Sequence, residues 1–295
     1  MITHLPVMSA EALFYLRPDR GGVFVDCTVG LGGHAKALLE AGAGQVIGLD
    51  RDHQALTLAR AVLDRWADRV ELVHADYRAI DEVLDRRGIR LIDGALADLG
   101  FSALQIEGDR RGFSFQRDEP LDMRMDQTRG ETAADLVART SEHDLADVIY
   151  RYGEERFSRR IADAIVTARS EAPILTTGRL ASIVRRAMPR RGFWRIDPAT
   201  RTFQALRIWV NQELEGLDGF LEATARRLRK GARLVVISFH SLEDRIVKHA
   251  LRALERSADA TMEVLTRKPV VAAEDDVQRN PRARSAKLRA AERVA

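Results

Sequence analysis

The chain has 295 residues, 45% hydrophobic and 31% charged, with a formal net charge of +3; this is the composition of a globular protein, not a disordered one. No apolar run approaches the ~18 residues of a membrane span, and the N-terminal stretch lacks the basic start and long apolar core of a secretory signal. The expectation is therefore a cytoplasmic protein with no membrane partner. A single cysteine, Cys27, excludes an intramolecular disulfide and a cysteine-built metal site, and no metal is expected.

Along the first hundred residues two periods alternate. "GVFVDCTVG", "QVIGLD", "VELVHAD" and "LIDGALADLG" read as buried strands. "GGHAKALLEAGA", "HQALTLARAVLDRWAD" and "YRAIDEVLDRRG" between them carry helical spacing. Such alternation predicts a parallel sheet with helices on both faces. After Gln105, "EGDRRGFSFQRDEPLDMRMDQTRG" is polar and broken by Gly and Pro, which predicts a long loop. From Thr132 to Met188 every segment is helical, and one long helix is expected from about Ala199 to Lys230. Strand character returns at "ARLVVISF". The expected architecture is α/β, with residues 1–106 and 209–295 forming the sheet domain and 107–208 an inserted all-helical domain.

"VFVDCTVGLGGH" places a strand before Gly30, Gly32 and Gly33, with a helix beginning near His34. The next strand ends at Asp50, 20 residues after Gly30. Glycines at the first strand–helix turn let a ligand approach the backbone, and an acid ending strand two can accept from both ribose hydroxyls. A nucleoside-containing cofactor follows from this pairing. Asp26 then separates two candidates. A dinucleotide rests its pyrophosphate on the helix N-terminus, where an acid would repel it. S-adenosylmethionine carries a cationic sulfonium and suits a nearby acid. Asp26 therefore shifts the reading from a dinucleotide to S-adenosylmethionine, and the expected fold class is a Rossmann-like class I methyltransferase core. After strand three, Asp76 or Tyr77 is positioned to meet an adenine.

Four further blocks, "RRGFSFQRDEPLDMRMD", "YGEERFSRRIADAIV", "DPATRTFQALRIWVNQEL" and "VISFHSLEDRIVK", join "HLPVM" near the start and "NPRARSAKLRAAER" near the end. Together they resemble the RsmH/MraW family, the bacterial 16S ribosomal RNA cytosine-N(4) methyltransferases, over essentially residues 4–293. The resemblance implies a methyltransferase core with a helical insert. It also implies cofactor contacts at Gly32, Gly33, His34, Asp50, Tyr77, Asp98 and Gln105. Here Leu31 stands where the family often has glycine, Tyr77 where phenylalanine is usual, and "GFSALQ" in place of "GVSSPQ". Thr28 replaces the first glycine of the general methyltransferase loop motif.

The implied reaction is N(4)-methylation of a cytidine in the decoding region of small-subunit rRNA, with an assembled 30S particle as the expected substrate. The exocyclic amine is a poor nucleophile, so a site must orient it, accept one of its protons and exclude water. Asp98 ends strand four, where it can touch the cofactor, the amine or both, and Phe101 is a candidate ring beside it. His240 and Ser241 follow strand five and are candidates to hydrogen-bond the base, His240 catalytically. On the helix after residue 198, Arg201, Arg207 and Asn211 are the substrate-side candidates, with Asn211 a candidate catalytic amide. Ser102, Phe113 and Arg124 are candidates in the long loop for contact with RNA.

Charge distribution agrees with an RNA partner. Only five of the 47 basic residues are lysines. Arg185, Arg186, Arg190, Arg191, Arg195, Arg201 and Arg207 face a single acid, Asp197, and eight basic residues meet four acidic ones between Arg267 and Arg293. Guanidinium forks suit phosphate. Two other functions use the same residues: N(4)-methylation of cytosine in DNA, and a non-catalytic RNA-binding assembly factor. Intact Asp50, Asp98 and Gln105 argue against the second.

Overall fold

The structure is a computed structural model that describes residues 6–101, 110–189, 196–257 and 261–295. The chain divides into two compact units, Met1–Gly100 with Leu214–Ala295, and Phe101–Glu213.

The first unit is built on an eight-stranded sheet. Its strands are β1 (Val23–Asp26), β2 (Gln45–Asp50), β3 (Val70–His74), β4 (Ile92–Asp98), β5 (Leu228–Ser238), β6 (Met262–Val264), β7 (Val270–Val271) and β8 (Lys287–Arg293). Their order is β3-β2-β1-β4-β5-β8-β6, with β7 also on β8. β1 to β5 run parallel, while β8 pairs antiparallel with β5, β6 and β7. The helices are α1 (Ser9–Leu16), α2 (Gly33–Glu40), α3 (His53–Val62), α4 (Ile80–Asp85), α10 (Leu217–Arg227), α11 (Ser241–Arg256) and α12 (Glu274–Arg279).

The period of two along each strand explains why both faces need helices. Val25, Ile47, Ala95 and Leu234 point into one core, shared with Ile80 of α4, Phe220 of α10 and Val247 of α11. Their neighbours Phe24, Val46, Leu96 and Val235 point into the opposite core, shared with Leu16 of α1, Leu38 of α2 and Leu56 of α3. Each fully buried Leu or Phe of this kind stabilises the fold by roughly 1.5–3 kcal/mol through area removed from water.

The second unit is helical: α5 (Ala133–Arg139), α6 (Glu142–Gly153), α7 (Ser158–Glu171), α8 (Thr177–Ala187) and α9 (Ala199–Asn211). Its core draws Ile149, Ile165, Val184 and Leu206 from four of them and Leu121 and Met123 from the preceding loop. Thr132 and Asp135 form a reciprocal capping box at α5, and Ser141 and Thr176 cap α6 and α8 by accepting from backbone N–H groups. Each such cap contributes about 1 kcal/mol. Residues 110–131 contain no helix or strand and touch regular pairing only at the Pro120–Thr176 bridge, in line with the long loop expected there.

Two expectations need correction. The single helix expected over Ala199–Lys230 is two helices, because Gln212 (φ 49°) and Gly216 (φ 66°) turn left-handed between α9 and α10. The basic stretch Arg267–Arg293 is also partly structural. Its last seven residues form β8, where Arg289 is buried and bonds Asp244 at 2.7 Å and Lys287 lies 3.5 Å from the same carboxylate.

Candidate functional site

Because β1, β2 and β4 are parallel, their acids Asp26, Asp50 and Asp98 all finish at one edge of the sheet. That edge lies at the point where strand order reverses between β1 and β4, which is where open α/β sheets bind ligands. The turn after β1 is held to its neighbours through Val29 N–H on Leu49 O and Cys27 N–H on Leu96 O, both 2.8 Å. Gly32 is the N-cap of α2 at φ 86°, a conformation that favours glycine, and a Cβ there would press to 3.1 Å from Leu63. A Cβ on Gly30 would meet nothing closer than 3.8 Å, so that stretch of backbone is open to approach.

Asp50 organises the loop. One of its oxygens accepts from Gly30 N–H and the other from Asp52 N–H, each at 2.8 Å. Burial raises its pKa to about 6, against the two backbone donors and Arg51. Each carboxylate oxygen retains a lone pair for a further donor.

Asp26, His34 and Asp98 form a second group. Asp26 is 0% exposed; one oxygen accepts from Thr28 N–H at 3.2 Å and Oδ2 has no partner. Burial pushes its pKa up to about 7, opposed by His34 and the Thr28 N–H. His34, in the first turn of α2, faces Asp98 Oδ2 across 3.5 Å, the far limit of a hydrogen bond, and His34 Nε2 and Asp98 Oδ1 have no closer partner. Burial alone would lower the His34 pKa; the bond to Asp98 and the charges of Asp98 and Asp26 outweigh it and leave it raised. Asp98 keeps 22% of its side chain exposed. Thr28 ties the group together: its hydroxyl accepts from Asp98 N–H at 2.7 Å while its own N–H holds Asp26. Reading the sequence missed this role for Thr28, although its presence at a glycine position was the available signal.

Buried polar atoms without partners are rare and costly. Two of them here, Asp26 Oδ2 and Asp98 Oδ1, suit a ligand that brings donors and positive charge, and do not suit a pyrophosphate. An S-adenosyl cofactor fits that donor set.

Other named residues in this unit have local partners. Tyr77 is 8% exposed and its ring packs 4.6 Å from Phe220. Asp76 caps the Tyr77 turn and is bonded by Arg78 through two nitrogens at 2.8 Å; burial would raise its pKa, but Arg78 and Arg51 hold it below the usual range. His240 caps α11: its Nδ1 accepts from Glu243 N–H, and the Glu243 carboxylate accepts from Phe239 and His240 N–H. His240 Nε2 lies 3.1 Å from Glu243 Oε1 but out of line for a hydrogen bond. Ser241, exposed, is the first residue of α11. The expectation that His240 meets a base is thus set beside an observed capping role.

In the second unit, Phe101 and Phe113 are half-buried with ring centroids 6.1 Å apart. Arg207 lies 4.5 Å over the Phe101 ring and is bonded through two nitrogens to Glu213 at 2.9 and 2.8 Å. Arg124 is closed onto Asp122 at 2.7 and 3.0 Å, and Arg201 reaches Glu154 O at 3.2 Å and Glu155 at 3.7 Å. Asn211 is buried: its Oδ1 accepts from Met125 N–H, and its Nδ2 donates to Met123 O and Arg207 O, all at 2.8–2.9 Å. The amide expected on the substrate side therefore pins residues 123–125 to α9. Ser102, Gln105, Arg190, Arg191 and Arg195 lie outside the described residues.

Comparison with known proteins adds the family. The model of the MraW methylase family matches residues 1–294. A Sorangium cellulosum protein named Ribosomal RNA small subunit methyltransferase H is 52% identical, covering 99% of this chain and 91% of its own. A protein of the same name from Geotalea uraniireducens is 50% identical, covering 99% and 98%. Among solved structures, an rRNA methylase from Streptococcus thermophilus aligns over 100% of this chain and 99% of its own, at 14% identity and a TM-score of 0.43.

Proposed function

Since the chain belongs to the MraW methylase family, we propose that it transfers a methyl group from S-adenosylmethionine to the N(4) amine of a cytidine in the decoding region of small-subunit rRNA. The observation that carries this reading is whole-chain identity near one half to proteins named as small-subunit rRNA methyltransferases. The acidic edge of β1, β2 and β4 supports it chemically. The substrate is the RNA within an assembled 30S particle in the cytoplasm.

The bound cofactor supplies an electrophilic methyl on a cationic sulfur. Gly32, Gly33, His34, Asp50, Tyr77, Asp98 and Gln105 are the residues that would hold it. Asp50 keeps the glycine turn in shape through Gly30 N–H while offering its remaining lone pairs to hydroxyl donors. Asp98 is fixed at its backbone by Thr28 and has His34 Nε2 3.5 Å from Oδ2, while Oδ1 is unpartnered. That oxygen accepts a hydrogen bond from the cytidine amine, aligns its lone pair and receives the proton set free as the new N–C bond forms. Asp98 thus serves both cofactor and amine. The cytidine has to leave its stack for the reaction; within the second unit, the rings of Phe101 and Phe113, the former under Arg207, are candidates to touch RNA bases.

Mass spectrometry of rRNA nucleosides tests the proposal. Cells lacking the protein should lose an N(4)-methylated cytidine from small-subunit rRNA and regain it on complementation. An unchanged nucleoside profile refutes the reading.

A further inference from the structure

Asp26 lies wholly inside the first unit, with one oxygen on Thr28 N–H and the other without a partner. Charged groups reach it from three elements: His34 of α2, Asp50 of β2 and Asp98 of β4. Its neighbour Cys27 stays a thiol, pushed up first by burial and then by Asp26. Fully ionised, the cluster would hold three carboxylates against one imidazolium. Burial therefore dominates, and Asp26 titrates near 7, a value His34 moderates and the other two acids reinforce. A positive charge arriving among these groups reverses that balance, because an opposite charge within a few ångströms favours the ionised acid. The methyl donor is positive at sulfur; the thioether that remains after transfer is neutral there.

We propose that Asp26 reads the charge on the cofactor's sulfur, losing its proton when the sulfonium form binds and regaining one when the neutral thioether is left. The site thereby holds fresh donor in preference to product. This rests on the reading that the cofactor binds at the β1–β2–β4 edge. The proton balance closes. Binding sends the Asp26 proton to solvent. In the transfer, N–C forms, S–C breaks with its electron pair staying on sulfur, and the amine gives up one proton. Asp26 then takes up one proton as the charge disappears. It touches no reacting atom in this scheme and acts as a positioning residue through electrostatics.

Isothermal calorimetry at pH 6.5, in two buffers of different ionisation enthalpy, counts the protons released. S-adenosylmethionine and S-adenosylhomocysteine are titrated separately into the wild-type protein and into Asp26→Asn. In the wild type the sulfonium ligand should release more protons than the thioether, by up to about three-quarters of a proton. That excess should largely vanish in Asp26→Asn. The preference for the sulfonium ligand should also fall, about threefold for the first unit by which the ligand lowers the Asp26 pKa and about tenfold for each further unit. Equal excesses in the two proteins, with donor binding intact, overturn the proposal. Absence of donor binding to the wild type overturns the cofactor reading itself and this inference with it. Should Asp26→Asn fail to fold, the wild type decides by its pH profile. The excess must fade above about pH 8, where Asp26 is already ionised; an excess that does not change with pH overturns the idea.

Discussion

At the ends of β1 and β4, Asp26 and Asp98 each keep an oxygen with no partner, whereas in the helical unit Arg124, Arg185 and Arg207 are each closed onto a carboxylate. The contrast separates two uses of charge. An unmet buried oxygen costs about 1–3 kcal/mol, and at the ends of β1 and β4 it is what a ligand's donors would complete. A closed ion pair is already complete and serves the fold. A count of arginines therefore overstates the charge that a helical surface offers to RNA, while a count of acids at strand ends understates what a ligand meets.

The largest expected effect probes the open side of this comparison. Asp50→Ala removes the acceptor of both Gly30 and Asp52 N–H and should weaken cofactor binding by on the order of a hundredfold or more. Calorimetry reads the affinity, and thermal unfolding should stay cooperative; undiminished affinity would mean that Asp50 is not part of the site. The closed side is broken by Glu213→Ala, which strands Arg207 with 11% of its side chain exposed. A loss of about 3–5 kcal/mol is expected in denaturant titration, most of it recovered when Arg207 is also changed to Met. A small loss in the single variant would show that the pair is not needed for the fold.

Asp26→Asn should have the opposite sign. The Asp26 pKa is raised in the folded protein from 3.8 to about 7, so its favourable contribution is complete below pH 4 and is lost as pH rises through 7. An asparagine escapes that loss. The variant should match the wild type near pH 4 and exceed it by about 2–4 kcal/mol at pH 8. A pH-independent difference in stability would contradict the burial argument. The smallest effect belongs to Arg185→Ala and Arg201→Ala, whose half-exposed guanidiniums already have acidic partners. Each should lower the slope of log affinity for rRNA against log salt by at most about one. A much larger drop would show that these pairs open on RNA.

Much of the sheet was legible because its signals are local. Apolar runs alternating with helical spacing, the turn glycines and Asp50 at a spacing of 20 depend only on neighbours in sequence. The break between α9 and α10 was not, since Gln212 adopts a left-handed conformation that nothing in its side chain announces. β8 was hidden for a different reason. "KLRAAER" looks polar, yet Arg289 is buried because Asp244, 45 residues earlier, neutralises it. Long-range ion pairing is invisible to hydropathy. At the site, the acids at strand ends were identifiable by type, but their unmet oxygens follow from three-dimensional partners alone. Thr28 and Asn211 make the same point: each is defined by bonds to residues about 70 and 86–88 positions away.

The antiparallel β8 also sets a clock on synthesis. β5 ends at Ser238, and the strand that covers its edge begins at Lys287. A ribosome adding about 5–20 residues per second takes roughly 2–10 s to make the intervening 48 residues. Through that interval the apolar run Leu234–Ile237 presents an uncovered edge, the kind of template on which chains aggregate. Nascent chains arrested between residues 240 and 285 should consequently be the ones most dependent on chaperones, and chains released beyond Arg293 the first to resist proteolysis.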